Sequence, residues 1–76
     1  MNKPESLLIT PRELEILKLL SQGLCSNEIA GRLYISGNTV EYHRKRLLAK
    51  TATRNAAELV GFAYREGLLK DIRGHQ

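Results

Sequence analysis

An all-α domain of four helices, with a helix-turn-helix at its centre, is the fold class this chain predicts. Three observations carry that expectation. Apolar residues recur at helical spacing along the whole chain, and strand-type alternation never lasts. Helix start signals stand at four places: Thr10-Pro11-Arg12-Glu13, Ser26-Asn27, Ser36 and Asn55. Ala30 and Val40 lie ten positions apart, the offset at which the two helices of a helix-turn-helix touch. The small residue permits close approach and the branched one fills the crevice.

The first helix is expected over residues 11–22. Thr10 and Glu13 form a capping box, Pro11 takes the first helical position, and Ile9 and Leu14 stand at hydrophobic-staple spacing. Leu14, Ile16, Leu17, Leu19 and Leu20 give it a broad apolar face, and Gly23 is placed to end it in a left-handed conformation. A second helix over 26–33, capped by Ser26 or Asn27, turns Ile29, Ala30 and Leu33 inward, with Cys25 as a small half-buried filler at its entrance. Tyr34-Ile35 make the turn, where Tyr34 is expected to cover the core edge.

The third helix is expected over 37–50, with Ser36 as its cap, Ile35 and Val40 as its staple, and Val40, Leu47 and part of Thr51 buried. After the polar break 51–54, Asn55 opens a fourth helix over 55–66 with Glu58 completing a box. Leu59, Val60, Phe62 and Ala63 are its apolar surface and Gly67 its end. Gly31 and Gly61 fall inside helices at a cost of up to ~1 kcal/mol each, so close packing against a neighbour is expected at both. Residues 1–8 and 71–76 read as flexible flanks of one domain spanning 9–70.

Composition bounds the function classes. Seventy-six residues make one domain with little room for a catalytic cleft beside a core. Twelve Lys+Arg against 8 Asp+Glu give net +4, which suits nucleic acid, an anionic membrane or an acidic partner equally. The distribution is more telling. Arg44, Lys45, Arg46, Lys50 and Arg54 follow Tyr42 with no acid among them up to Ala57. One end of the molecule should carry most of the positive field. No apolar run reaches the ~20 residues of a membrane span, and a single cysteine fits a cytoplasmic setting.

Turned at 100° per residue, the third helix separates two jobs. Val40, Leu47 and Thr51 point to the core. Tyr42, Lys45 and Ala49 point the opposite way, with Glu41 and Arg46 on the shoulders. Glu41 and Lys45 can form one i,i+4 pair, and the remaining bases stay uncompensated. On the second helix of a turn motif, that surplus is what entry into a major groove requires. His43 has no nucleophile or carboxylate spaced to work with it, so no catalysis is expected. Cys25, His43 and His75 share no metal-ligand spacing, so neither metal nor cofactor is expected.

From Ile9 to Leu69, about four-fifths of the chain, the sequence resembles the LuxR-type helix-turn-helix domain of bacterial response regulators and quorum-sensing regulators. Thr10-Pro11-Arg12-Glu13, Leu17, Gly23, Glu28-Ile29-Ala30, Leu33, Ser36, Thr39-Val40, His43, Lys50, Glu58-Leu59 and Gly67-Leu68 carry the resemblance. It implies sequence-specific binding of double-stranded DNA by a transcription regulator, with the third helix in the major groove and dimerisation through the fourth. By position, it puts Glu41, Tyr42 and Lys45 at base edges and Thr39, Arg46 and Lys50 at the DNA backbone. Thymine methyls or phosphates suit Tyr42, and a cytosine amine suits Glu41.

Ala57, Val60, Gly61 and Tyr64 are the expected dimer contacts, left outside when Leu59 and Phe62 fill the core. The patch is small, so pairing is expected mainly on DNA, with RNA polymerase as a further partner open to the class. Two departures from the family pattern stand out. Lys50-Thr51-Ala52 replaces the usual Lys-Leu-Gly, which predicts a looser joint before the fourth helix. Ala56 replaces the usual opening arginine. Two alternatives stay open on sequence grounds: a sigma-factor promoter-reading domain, and a protein-interaction module that does not touch DNA.

Overall fold

The computed structural model describes residues 8–69. The expected flanks lie outside the described residues, Leu8 excepted, as does His75. Four helices make up the fold and there is no strand among the described residues. They are α1 (Pro11–Ser21), α2 (Ser26–Leu33), α3 (Gly37–Thr51) and α4 (Ala56–Arg65). Each lies within a residue of its expected bounds.

The start signals explain three of the four entries directly. Thr10 Oγ1 accepts the Glu13 amide at 3.1 Å and Glu13 Oε1 accepts the Thr10 amide at 3.0 Å, closing the predicted box. Ser36 Oγ accepts from Thr39 N, and Asn55 Oδ1 from Glu58 N at 2.9 Å. At α2 the cap is Cys25 rather than Ser26 or Asn27: its backbone amide donates to Glu28 Oε1 at 2.8 Å. The Cys25 thiol is exposed, not a filler, because a cap residue stands outside the helix it begins. At α4, Arg54 rather than Asn55 donates its amide to Glu58, at 2.8 Å.

The four exits share one geometry. In each, an amide bonds to the carbonyl five residues back: Leu24 to Leu19, Ile35 to Ala30, Thr53 to Leu48 and Leu68 to Ala63. That bond needs a left-handed residue just before the donor. Gly23 and Gly67 supply it freely at φ 90° and 78°, whereas Tyr34 and Ala52 adopt φ 59° and 56° with a Cβ attached.

The core is Ile16 and Leu17 from α1, Ile29 and Ala30 from α2, Val40 and Leu47 from α3, Leu59 and Ala63 from α4, and Leu69 beyond it. Ile9 and Leu14 pack against it as the staple predicts. Three expectations change. Tyr34 is 94 % exposed and covers no core, because its left-handed backbone throws the side chain outward. On α4 the fully buried partner of Leu59 is Ala63, one turn on; Phe62 is half-buried, and Val60 is half-buried at the edge of the core. Beside Gly31 a Cβ would meet nothing within 4 Å, and beside Gly61 only the end of the Arg65 side chain, so neither glycine is needed for close packing within this chain.

The joint after α3 is held on the α3 side by hydrogen bonds within that helix and its exit. Thr51 is buried and its hydroxyl donates to Leu47 O at 2.8 Å, within 2.8 Å of Thr53 Oγ1. A hydroxyl in place of an aliphatic side chain is tolerated there because it bonds back to its own helix.

Candidate nucleic-acid interface

Fully buried Val40 and Leu47 fix the rotation of α3 on the body of the domain. The same rotation brings Tyr42, Lys45 and Arg46 to the outer face, all exposed. Tyr42 is 58 % exposed, its ring edge-on to His43 at 5.4 Å, and the Arg46 guanidinium lies 5.7 Å from its centroid. His43 Nδ1 is buried with no hydrogen-bond partner, while its ring lies against Tyr42. Thr39 closes the first turn of α3, its hydroxyl 2.9 Å from Ser36 Oγ.

Glu41 does not pair with Lys45. Its Oε1 accepts from Arg44 Nε at 3.1 Å and Nη2 at 2.9 Å, and its Oε2 accepts from the Ser26 hydroxyl at the start of α2. The carboxylate thereby ties α2 to α3, with both oxygens engaged by groups of this chain. Ser26 first, then Arg44, hold it below the usual carboxylate range. The i,i+3 partner wins because the arginine fork reaches the carboxylate in two bonds. Lys45 is left exposed and takes part in none of the ion pairs found among the described residues.

The largest departure from expectation lies beneath α3. Glu13, 1 % exposed, accepts Lys50 Nζ at 2.5 Å on Oε1 and Arg46 Nε at 3.2 Å on Oε2. Lys50 Nζ also donates to Leu8 O at 2.9 Å, and its side chain is only 10 % exposed. Burial pushes the Glu13 carboxyl up. The bonds from Lys50, the Thr10 amide and Arg46 more than offset this and hold it at about 2. Of the two cations among the three expected backbone contacts, Arg46 stays half open and Lys50 is enclosed. The role of Glu13 beyond the capping box had a signal in the sequence: it stands three and four positions before Ile16 and Leu17, on the buried stripe of α1.

On α4, Ala57 and Tyr64 are exposed and Gly61 half-buried. A groove of about 440 Å³ beside Ala57 and Gly61 is lined by Thr51, Thr53, Phe62 and Arg65 among others. Arg54 and Glu58 form an exposed ion pair at its edge, 2.6 Å apart. Among the described residues no three His, Cys, Asp or Glu side chains gather to hold a metal ion. No helix among them is long and apolar enough to cross a membrane.

Known proteins resemble this chain in sequence and in fold. The Synechocystis response regulator Rre1 is 48 % identical over 65 residues, which are 86 % of this chain and 28 % of that protein. The Escherichia coli CsgBAC operon transcriptional regulatory protein is 47 % identical over 62 residues, 82 % of this chain and 29 % of its own length. The chain thus spans less than a third of these relatives. The crystal structure of the response regulator ChrA, from a heme-sensing two-component system, superimposes with a TM-score of 0.80 at 32 % identity. It covers 82 % of this chain, which in turn covers 31 % of ChrA. Residues 7–63 match the family described as bacterial regulatory proteins, luxR family, and the chain belongs to that family.

Proposed function

We propose that this chain binds double-stranded DNA sequence-specifically as the output unit of a bacterial transcription regulator, with α3 in the major groove. The observation that carries the reading is the division of α3 into two faces. Val40 and Leu47 are wholly inside, while Tyr42 and Lys45 stand exposed beside Arg46 on the outside. A helix docked this firmly can present a fixed set of side chains to base edges, as groove readout requires. The relatives named as transcriptional regulators support the same reading.

Tyr42 and Lys45 are the principal readers in this proposal. Glu41 joins them already bound to Arg44, so it meets a cytosine amine only through lone pairs that Arg44 and Ser26 leave open. Thr39 and Arg46 hold the backbone, while Lys50, also expected there, is bound to Glu13 and the Leu8 carbonyl inside the fold. Pairing of two copies on DNA runs through Ala57, Gly61 and Tyr64, with Val60 at the edge of the core. The work is binding rather than turnover, in the cytoplasm, with RNA polymerase as a downstream partner. Selection of duplexes from a random library by the purified chain tests the reading. Enrichment of a defined half-site, lost in a Tyr42→Ala/Lys45→Ala variant that still folds, is the expected result. A selection that enriches nothing sinks it.

A further inference from the structure

Lys50 and Arg46 approach the same buried carboxylate from the same helix, one turn apart, yet their remaining hydrogen-bonding capacity differs. We propose that Glu13 is a positioning residue for the DNA face: it holds the Lys50 ammonium back from phosphate and aims the Arg46 guanidinium outward across Tyr42. This rests on the DNA-binding reading and assigns a division of labour within it.

The geometry on each side of the carboxylate makes the case. Lys50 gives Glu13 Oε1 one proton at 2.5 Å and the Leu8 carbonyl another at 2.9 Å, from a side chain 10 % exposed. To reach a phosphate it would leave a carboxylate that is 1 % exposed without its closest cation, which is a costly state for a buried charge. Arg46 gives Glu13 only its Nε, at 3.2 Å. Its side chain is 46 % exposed, and a guanidinium can bond a carboxylate through one edge and a phosphate through another. The Tyr42 ring, 5.7 Å from the guanidinium carbon, flanks the outward part. Glu13, Lys50 and Arg46 together carry net +1, and that charge is delivered at the arginine.

The test is the salt dependence of binding to a random-sequence duplex, read by fluorescence anisotropy between about 50 and 200 mM salt. Each phosphate contact contributes about 0.9 to the slope of log K against log salt. Arg46→Met should make the slope shallower by about 0.9, and Lys50→Met should leave it unchanged. Glu13→Gln frees Lys50, so its slope should steepen by about 0.9, an extra loss of about 3.5-fold across that fourfold range of salt. Glu13→Gln/Lys50→Met should return it to the parent value. A merely structural Glu13 would alter stability and leave the slope alone.

A Lys50→Met slope shallower by about 0.9 in the otherwise unaltered chain overturns the proposal, as does a folded Glu13→Gln variant with an unchanged slope. Should circular dichroism show Glu13→Gln unfolded, the contrast between Lys50→Met and Arg46→Met decides alone. No duplex binding by the unaltered chain would instead overturn the DNA-binding reading beneath it.

Discussion

Ala52 ends α3 in a left-handed conformation, at φ 56° and ψ 37°, so replacing it with glycine should stabilise the domain. A side chain with a Cβ held there costs roughly 1–2 kcal/mol. Glycine removes that cost but gives back about 0.4–1 kcal/mol through its freer unfolded chain. Ala52 is exposed, so little packing is lost with the methyl group. The difference is a gain of about 0.5–1 kcal/mol, or about 2–8 °C in Tm for a domain of this size. Thermal and urea unfolding followed by circular dichroism measure it, with an unchanged m-value showing that stability alone moved. Ala49→Gly is the control: Ala49 is exposed within the helical part of α3, and glycine there should cost up to about 1 kcal/mol. If Ala52→Gly destabilises as Ala49→Gly does, then Ala52 is not held in the left-handed region and the closing geometry of α3 is misassigned.

Acid should expose the Glu13 cluster. A carboxyl held at about 2 against an ordinary 4.5 contributes stability that is present above pH 4.5 and lost as pH falls towards 2. At about 1.4 kcal/mol per pH unit this is worth about 3 kcal/mol, so urea midpoints of the parent chain and Glu13→Gln should converge on acidification; a constant gap between them would contradict it. Lys45→Ala should weaken binding to a selected operator by roughly 1–3 kcal/mol more than binding to random duplex, measured by parallel anisotropy titrations. Equal losses on both would remove Lys45 from the readers. Ala57→Glu, on the exposed side of α4, should keep the fold and abolish cooperative filling of two half-sites in band-shift titrations; intact cooperativity would move the subunit contact elsewhere.

Caps, staples and apolar spacing are local, which is why all four helices were legible to within a residue. The helix-turn-helix offset placed Ala30 and Val40 in one core for the same reason. What escaped the sequence are choices made between elements. Ser26 was readable as a cap, but its hydroxyl goes to Glu41 across the turn, and α2 takes Cys25 as its cap instead. Glu41 had Lys45 and Arg44 within equal reach on paper, and the fork geometry that selects Arg44 appears only once side chains are placed. Lys50 looked like the other cations of α3 until α1 brought a buried carboxylate beneath it. Val60 and Ala63 differ by less than a turn in rotation, finer than an apolar pattern of 10 residues can resolve. The glycine missing at position 52 was visible, but the hydroxyl of Thr51 bonding back to its own helix was not.

The central claim is that the outer face of α3 meets DNA phosphates with a particular set of cations. Five basic groups are available by sequence, for a slope of about −4 to −5 per subunit. The structure withdraws Lys50 into the Glu13 cluster and engages Arg44 with Glu41 and Arg54 with Glu58, leaving Lys45 and Arg46. Titration of a random duplex across salt concentrations should therefore give log K falling against log salt with a slope of about −2 per subunit. A slope shallower than about −1 would mean that this face does not meet DNA.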